Sequence, residues 1–534
     1  MANESTVKRK VVFLDLRKKI KDEIVFTKRL SGFDEVISLT PYSTFVLEKL
    51  NIRFKRFSCL VDDADLHSEI IDKYKRVENS IHFKNLQHGS YILSELAKYI
   101  SLDSFISALQ KHISQFDAIY ITDSQGKALF TVDTMLSVFV NFKSVIQVER
   151  DEKFYLVSLL RFIARRPLES VKKFIRFFLK DNQYTYDNKF LKDKYIKKKI
   201  NINVTNSSFS DAAYKGFLKE SAKIISNPIL RGMLKHDFCT PATKSVGTAY
   251  RPFIFLHGKQ MFFRYESYKR NNIPVIMMQH GAYVNENYFL KHNEAIPADI
   301  NLTFNDFSKA LIEQQGGSNV HNVGSIFFDK KLKERACEYE FLYITYCSRY
   351  SYPGILNASE KSVLSATGEN IFSRHKEVIE LFGECYPSVK LCVKVKPGLF
   401  LGGQMYVPLK EMAKKYPNVS IDYVSDLFHL IEKSTYILGD YFSSEFSSKD
   451  ILKKKNIILF GDILRFVNKD VEKDMAALLT VISSVRELDD LMPNISSRMI
   501  EKKATQSPKL VDYYSSSCSN TIERVSAIID GFLK

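Results

Sequence analysis

Residues 425–460 read SDLFHLIEKSTYILGDYFSSEFSSKDILKKKNIILF. Within this stretch Tyr436-Ile437-Leu438-Gly439 is a short apolar run that ends at Asp440, and residues 456–460 form a second one. Apolar runs of this length, bounded by turn signals, are consistent with buried strands. Between them Ser443 and Ser444 stand where the loop enters a helix, a position that serine hydroxyls favour as caps. Strands separated by helical segments point to a mostly parallel α/β sheet.

The same rhythm extends outward in both directions. Residues 11–16, 54–60, 116–122, 253–256, 274–278, 300–304, 320–324, 341–346 and 389–395 read as strands, with 123–126 as a turn. Residues 45–50, 261–270, 377–382, 471–488 and 521–533 read as helical, and the charged run 330–340 as a linker. Two stretches depart from the pattern. Residues 154–182 interleave apolar side chains such as Leu159, Phe174 and Phe178 with Arg161, Arg165, Lys172 and Arg176, and Pro167 divides them into two basic amphipathic helices. Such helices pack on their own protein's core or lie on anionic lipid. Residues 181–206 are polar and lysine-rich and read as a loop or linker.

A chain of 534 residues is too long for one hydrophobic core, so two or three domains are expected. Its 40 Phe and 28 Tyr supply enough core material to exclude wholesale disorder. The net charge of +17 favours anionic partners (nucleic acid, an anionic membrane surface or phosphorylated substrates) or describes a solvated lysine-rich surface; composition does not choose. Seven scattered cysteines without a CxxC pair indicate neither a zinc site nor a disulfide framework, which fits a reducing compartment. Residues 1–9 lack the apolar core of a signal peptide, and no uncharged apolar run reaches the roughly 18 residues of a membrane span. The expectation is a cytoplasmic protein, with contact on the inner face of the membrane left open.

Ligands in open α/β sheets bind at the carboxyl ends of strands. Three strand-end loops therefore carry the candidate chemistry. After residue 278 comes Gln279-His280-Gly281, whose imidazole is a candidate general base or a hydrogen-bonding group for a phosphate or acceptor hydroxyl; a structural turn is the plainer reading. Alternation along 389–395 puts Lys394 and Lys396 on one side, with Lys396 at the tip before Pro397 and Gly398. There it can neutralise a diphosphate, or simply form a solvated basic edge. The third loop runs from Asp440 to Glu445. Ser443 and Ser444 are placed to bind phosphate at a helix start, or merely to cap it, and Glu445 to accept from a ribose. His257 and Lys259, at another strand end, are further cleft candidates; Asp237 and Glu266 are acid/base candidates that the sequence does not rank. Asp62-Asp63-Ala64-Asp65 precedes an apparent helix and reads as capping rather than as a metal motif. No Walker loop and no GxGxxG is present.

Residues 273–281 (IPVIMMQHG), 298–316 (ADINLTFNDFSKALIEQQG) and 321–329 (HNVGSIFFD), together with 425–460, resemble GT-B-fold bacterial glycosyltransferases. The pattern is most similar to the CDP-glycerol glycerophosphotransferase group and to capsule and lipopolysaccharide transferases, Kdo transferases included. The resemblance covers roughly residues 250–460. It implies that His280 is a catalytic-site residue, that Ser443 and Ser444 bind donor phosphate, and that Asp440 is the family's aspartate before the serines. Two departures stand out: Lys396-Pro397 replaces the family's usual His-Pro, and Phe442 separates Asp440-Tyr441 from the serines.

The expected architecture is thus α/β and GT-B-like, with two Rossmann-like domains facing a cleft. Residues 1–330 would bind acceptor and carry a helical insertion near 154–240; residues 338–534 would bind the nucleotide and include terminal helices packing back across the junction. The expected activity moves a sugar or polyol phosphate from a nucleotide-activated donor, CMP- or CDP-linked, to a glycan or lipid-linked glycan of a bacterial surface polysaccharide. Neither metal nor other cofactor is expected. The alternatives are a nucleotide-sugar epimerase of the same fold and a non-enzymatic basic nucleic-acid-binding protein. The dispersal of the basic residues speaks against the latter, so nucleic acid is not an expected partner.

Overall fold

The computed structural model describes residues 9–14, 23–38, 41–60, 63–80, 118–122, 145–149, 198–204, 212–226, 245–251, 253–257, 272–279, 281–285, 298–325, 331–345, 368–395, 402–462, 468–496, 507–516 and 520–534, with scattered positions between. In chain order the first elements are β1 (Lys10–Leu14), α1 (Glu23–Leu30), β2 (Glu35–Ser38), α2 (Pro41–Lys49), β3 (Lys55–Arg56), α3 (Asp63–Glu78), β4 (Ala118–Thr122) and β5 (Val145–Glu149). They are followed by β6 (Lys198–Val204), α4 (Ala212–Ile224), β7 (Ser245–Arg251), β8 (Ile254–His257), β9 (Val275–Met278), β10 (Ile300–Thr303), α5 (Asp306–Gln314) and β11 (Val320–Asn322). The remainder comprises β12 (Tyr339–Ile344), α6 (Gly368–Glu380), β13 (Leu391–Lys394), α7 (Gly402–Ala413), β14 (Val419–Asp422), α8 (Leu427–Glu432), β15 (Ser434–Gly439), α9 (Lys449–Lys454), β16 (Asn456–Phe460), α10 (Lys469–Leu478), β17 (Thr480–Ile482), α11 (Val485–Ser496), α12 (Pro508–Tyr514) and α13 (Thr521–Phe532).

Three parallel sheets result. The N-terminal sheet has the order β3-β2-β1-β4-β5, the middle sheet β11-β10-β9-β8, and the C-terminal sheet β14-β13-β12-β15-β16-β17. Renumbered from its own first strand, the last is 3-2-1-4-5-6, the doubly wound Rossmann order; the N-terminal sheet follows the same order as far as its fifth strand. The fold class is therefore α/β, with two Rossmann-like sheets. Strands covered on both faces must be apolar throughout. The sequence supplies this in Ile437, Leu438, Ile457, Ile458, Leu459 and Phe460, all buried.

Three sequence expectations are corrected. Within residues 181–206, read as a loop, β6 pairs antiparallel with β7 over seven residues. Ile200, Ile202 and Val204 alternate with polar neighbours, a period-2 signal that the lysine content hid. Residues 471–488 are not one helix: α10 ends at Leu478, β17 pairs with β16, and α11 begins at Val485. The β-branched Thr480-Val481-Ile482 supplies the sheet's sixth strand. Residues 54–60 form only a two-residue strand followed by a 3₁₀ turn (Phe57–Leu60). The basic segment 154–182, the helix expected at 261–270, the turn 123–126, Asp237 and Glu266 lie outside the described residues.

The sheets are joined in two places. Helix α2 of the N-terminal sheet packs on α6 and α7, with Phe45 against their apolar cluster and Lys376 paired to Glu48 at 2.8 Å. At the second junction Tyr283, Val284, Phe307, Leu311 and Ile312 share one buried cluster with Leu342, Ile437, Phe442, Phe446, Val511 and Tyr514. Helix α12 contacts α5, α9 and α10, and α13 then returns to the middle sheet, burying Val525 and Ile529 against Ile276, Met278 and Ile300.

The turn after α6 tests how tightly this packing is set. Leu381–Cys385 form a π-helical turn, and a Cβ built on Gly383 lies 2.2 Å from Cγ of Tyr416. Neither the ring root nor the backbone yields easily. Gly383→Ala should lower stability by about 1–3 kcal/mol, read as a lower urea midpoint at unchanged m-value.

Candidate functional site at the strand ends

In the C-terminal sheet the winding reverses between β12 and β15, so the switch-point crevice lies beyond their carboxyl ends. Register places Ile344 opposite Gly439, so Thr345 and Asp440 emerge side by side. The Asp440 amide donates to the Ile344 carbonyl at 3.3 Å. Asp440 itself is fully buried. Tyr343 donates its hydroxyl to Oδ1 at 2.5 Å, and Nε2 of His375 lies 2.8 Å from Oδ2. A carboxylate only accepts, so the imidazole N–H donates. Burial, then the adjacent Asp440, pushes the Tyr343 phenol well above its ordinary pKa.

Helix α6 supplies a second grip one residue earlier. Arg374 forms a two-pronged ion pair with Asp462, which follows β16, and its guanidinium lies 4.1 Å from the Phe460 ring centroid. Burial alone would lower its pKa; the Asp462 pair and nearby Asp440 outweigh that and raise it. On the other side of the crevice, buried Lys394 is committed to Asp422 at 2.9 Å and to the Ser425 carbonyl at 2.5 Å. Lys396, expected at the tip of that strand, lies outside the described residues.

Past Asp440 the chain runs through buried Phe442 to Ser443, the N-cap of the 3₁₀ turn Ser444–Ser447. Ser443 makes no side-chain cap bond, and among the described residues its buried Oγ has no hydrogen-bond partner. The hydroxyls of Ser447, Ser448 and Ser515 share that condition. Ser444 and Glu445 are half-buried.

The middle sheet brings its own strand ends to this loop. Asn305 caps α5, its Oδ1 accepting from the Ser308 amide at 2.8 Å, and its Nδ2 donates to the Tyr514 carbonyl at 2.7 Å. The Ser325 amide donates to Ser516 Oγ at 2.9 Å, and the Ser516 amide to the Ser447 carbonyl at 2.7 Å. Gln279 is buried and fully engaged: Nε2 donates to the Gly281 carbonyl and to Ser308 Oγ, and Oε1 accepts from the Phe304 amide. Gly281 has φ +81°, a value that glycine adopts without strain. His280, between them, lies outside the described residues, as does Lys259; of His257 only the backbone, in β8, is described.

Of the sequence candidates, then, Asp440 and Ser443 stand at the switch point, Ser444 and Glu445 lie in the adjoining turn, and Gln279 directly follows the strand β9 with Gly281 in the bend after it. Sequence reading missed Tyr343, Arg374, His375 and Asp462. One signal was available: His375 falls on the apolar stripe Ile371, Phe372, Val378, Ile379 of α6, where a ring nitrogen requires a buried partner. Among the described residues no cluster of three or more His, Cys, Asp or Glu could hold a metal ion, and no helix is long and apolar enough to cross a membrane.

No family model matches the chain, and neither does any curated protein. Solved structures do. A UDP-GlcNAc 2-epimerase from Neisseria meningitidis bound to UDP-GlcNAc aligns at 12% identity and TM-score 0.32, over 82% of this chain and 97% of its own. A glycosyltransferase from Rickettsia africae aligns at 10% and 0.33, over 84% and 95%. The MurG protein of Acinetobacter baumannii aligns at 10% and 0.30, over 60% and 80%. Likenesses this distant carry no statement about activity.

The Asn305 contacts give a direct test of the junction. Asn305→Ala removes a helix cap and leaves the buried Tyr514 carbonyl without this donor, so stability should fall by about 2–3 kcal/mol. Asn305→Asp keeps the cap but sets a carboxylate against that carbonyl, and should rescue little of the loss in the same urea titration.

Proposed function

We propose that the protein is a glycosyltransferase that moves a sugar or polyol-phosphate unit from a nucleotide-activated donor. In this reading residues 338–534 form a donor domain, residues 1–330 an acceptor domain, and the two face a shared cleft. The observation that carries it is the buried, unpartnered Ser443 hydroxyl on the loop at the switch point of a doubly wound sheet. A buried donor without an acceptor is costly, and a phosphate oxygen supplies what is missing.

Ser443, Ser444 and Lys396 hold the donor's phosphates and steady the charge that develops on the nucleotide as the bond breaks. Asp440 fixes the loop, and Glu445 accepts from the ribose. His280, between Gln279 and Gly281 in the sequence, acts at the reacting centre or on the acceptor hydroxyl. His257 and Lys259 line the acceptor side. The donor is CMP- or CDP-linked, and the acceptor is a glycan or lipid-linked glycan of a bacterial capsule or lipopolysaccharide, met at an anionic membrane surface. Support for this finer reading comes from the resemblance of residues 250–460 and the +17 charge.

A thermal-shift panel of CMP, CDP, UDP and GDP tests the donor site. The preferred nucleotide at one hundred times its Kd should stabilise the fold by about 2.7 kcal/mol. Ser443→Ala should weaken that affinity about tenfold or more, the worth of a hydrogen bond to a charged group. His280→Ala should leave the thermal shift intact while transfer falls about 10²–10⁴-fold, and wild-type transfer rates in that variant would refute its role. Free nucleotide released together with acceptor-linked product separates transfer from epimerisation.

A further inference from the structure

The geometry points to His375 as a positioning residue for the donor loop: acting through Asp440, it sets where the Ser443 hydroxyl is presented to a nucleotide's phosphates. This inference rests on the donor-site reading above and goes beyond it, because His375 lies on a helix and touches no candidate ligand atom.

Three observations carry it. First, Asp440 is gripped from two elements at once, by Tyr343 of β12 and His375 of α6, with all three side chains fully buried. The Tyr343 ring also meets the His375 ring edge-on at 5.5 Å, so neither partner is free to turn. Second, only Tyr441 and Phe442 separate Asp440 from Ser443, and Phe442 is itself locked, buried with its ring 5.6 Å from that of Phe446. Ser443 makes no cap bond of its own, so the position of its backbone, and with it where its hydroxyl can be presented, is inherited from these two anchors. Third, His375 occupies its site at a loss. Its Nδ1 is buried without a hydrogen-bond partner. A leucine would fill the same apolar stripe and leave no orphaned nitrogen. What the imidazole supplies and leucine cannot is the N–H that orients the Asp440 carboxylate. Buried polar networks that cost stability while fixing one geometry are expected where a binding group must be preorganised.

The test compares His375→Leu with His375→Gln, whose amide N–H can still reach Asp440. Tyr343→Phe, which removes the other grip, serves as a second route should the leucine variant fold poorly. Affinity is read by titrating the full-length protein with CMP, CDP, UDP and GDP. Val525→Ala, on the distant α13, controls for a loss of stability at an intact site. His375→Leu and Tyr343→Phe should each weaken binding of the preferred nucleotide about tenfold or more. His375→Gln should restore most of that affinity, and Val525→Ala should bind as wild type. Wild-type affinity in both His375→Leu and Tyr343→Phe overturns the positioning role while leaving the donor site standing. So does a loss in Val525→Ala equal to that in His375→Leu. A wild-type protein that binds none of the four nucleotides overturns the donor site, and the positioning role with it.

Discussion

Two backbone amides and one serine hydroxyl set the register in which the middle and C-terminal sheets meet. The Ser325 amide, just beyond β11, donates to Ser516, and the Ser516 amide donates to Ser447, the last residue of the 3₁₀ turn between β15 and α9. Asn305 adds a third tie, from the start of α5 to the Tyr514 carbonyl. The apolar cluster around Phe307, Phe442, Phe446 and Tyr514 supplies most of the free energy, because it removes the largest surfaces from water. Apolar packing is not directional, however, and the hydrogen bonds fix which residues meet. They bring the carboxyl ends of the middle and C-terminal sheets to one segment, 514–516, contributed from far along the chain.

Within the C-terminal sheet a second rule operates. A carboxylate stands at or just after the ends of three strands: Asp422 at β14, Asp440 after β15 and Asp462 after β16. Each is caught by a side chain from a neighbouring element, respectively Lys394, the Tyr343–His375 pair and Arg374. Consecutive residues of α6 hold two of the three. Loops that would otherwise carry only surface turns are thereby fastened to the sheet and to one helix. Their hydrogen-bonding groups then hold fixed positions without a ligand, as a preorganised site requires.

The strands were legible because burial on both faces forces near-continuous apolar runs, as in residues 436–439 and 456–460. Where that pressure relaxes, the reading failed. Strand β6 pairs with β7 in a two-stranded ribbon, and its lysines and asparagines obscured the alternation of Ile200, Ile202 and Val204. Strand β17 is three residues at a sheet edge between two helices, too short to interrupt a helical pattern. Of the candidate site, the loop 440–445 could be nominated because strand ends bind ligands in such sheets. Its supports could not. Tyr343 reads as one more apolar strand residue, and Arg374 and Asp462 are 88 positions apart. Only His375, on an apolar stripe, carried a mark of its own.

Gln279 and Ser443 show how a saturated buried polar group differs from a candidate binding one. Both follow a strand in a parallel sheet, and both are buried to about the same degree. Depth therefore does not distinguish them. Gln279 spends both amide protons and its oxygen on Gly281, Ser308 and Phe304, so a ligand that engaged it would have to break an equal number of bonds. Such an exchange yields little net affinity. Among the described residues the Ser443 hydroxyl has no partner to lose, so an acceptor reaching it gains a bond at no such cost. An unmet hydrogen bond alone does not mark a binding group, since the Nδ1 of His375 is orphaned too; at Ser443 it coincides with a strand-end loop at the switch point of the sheet.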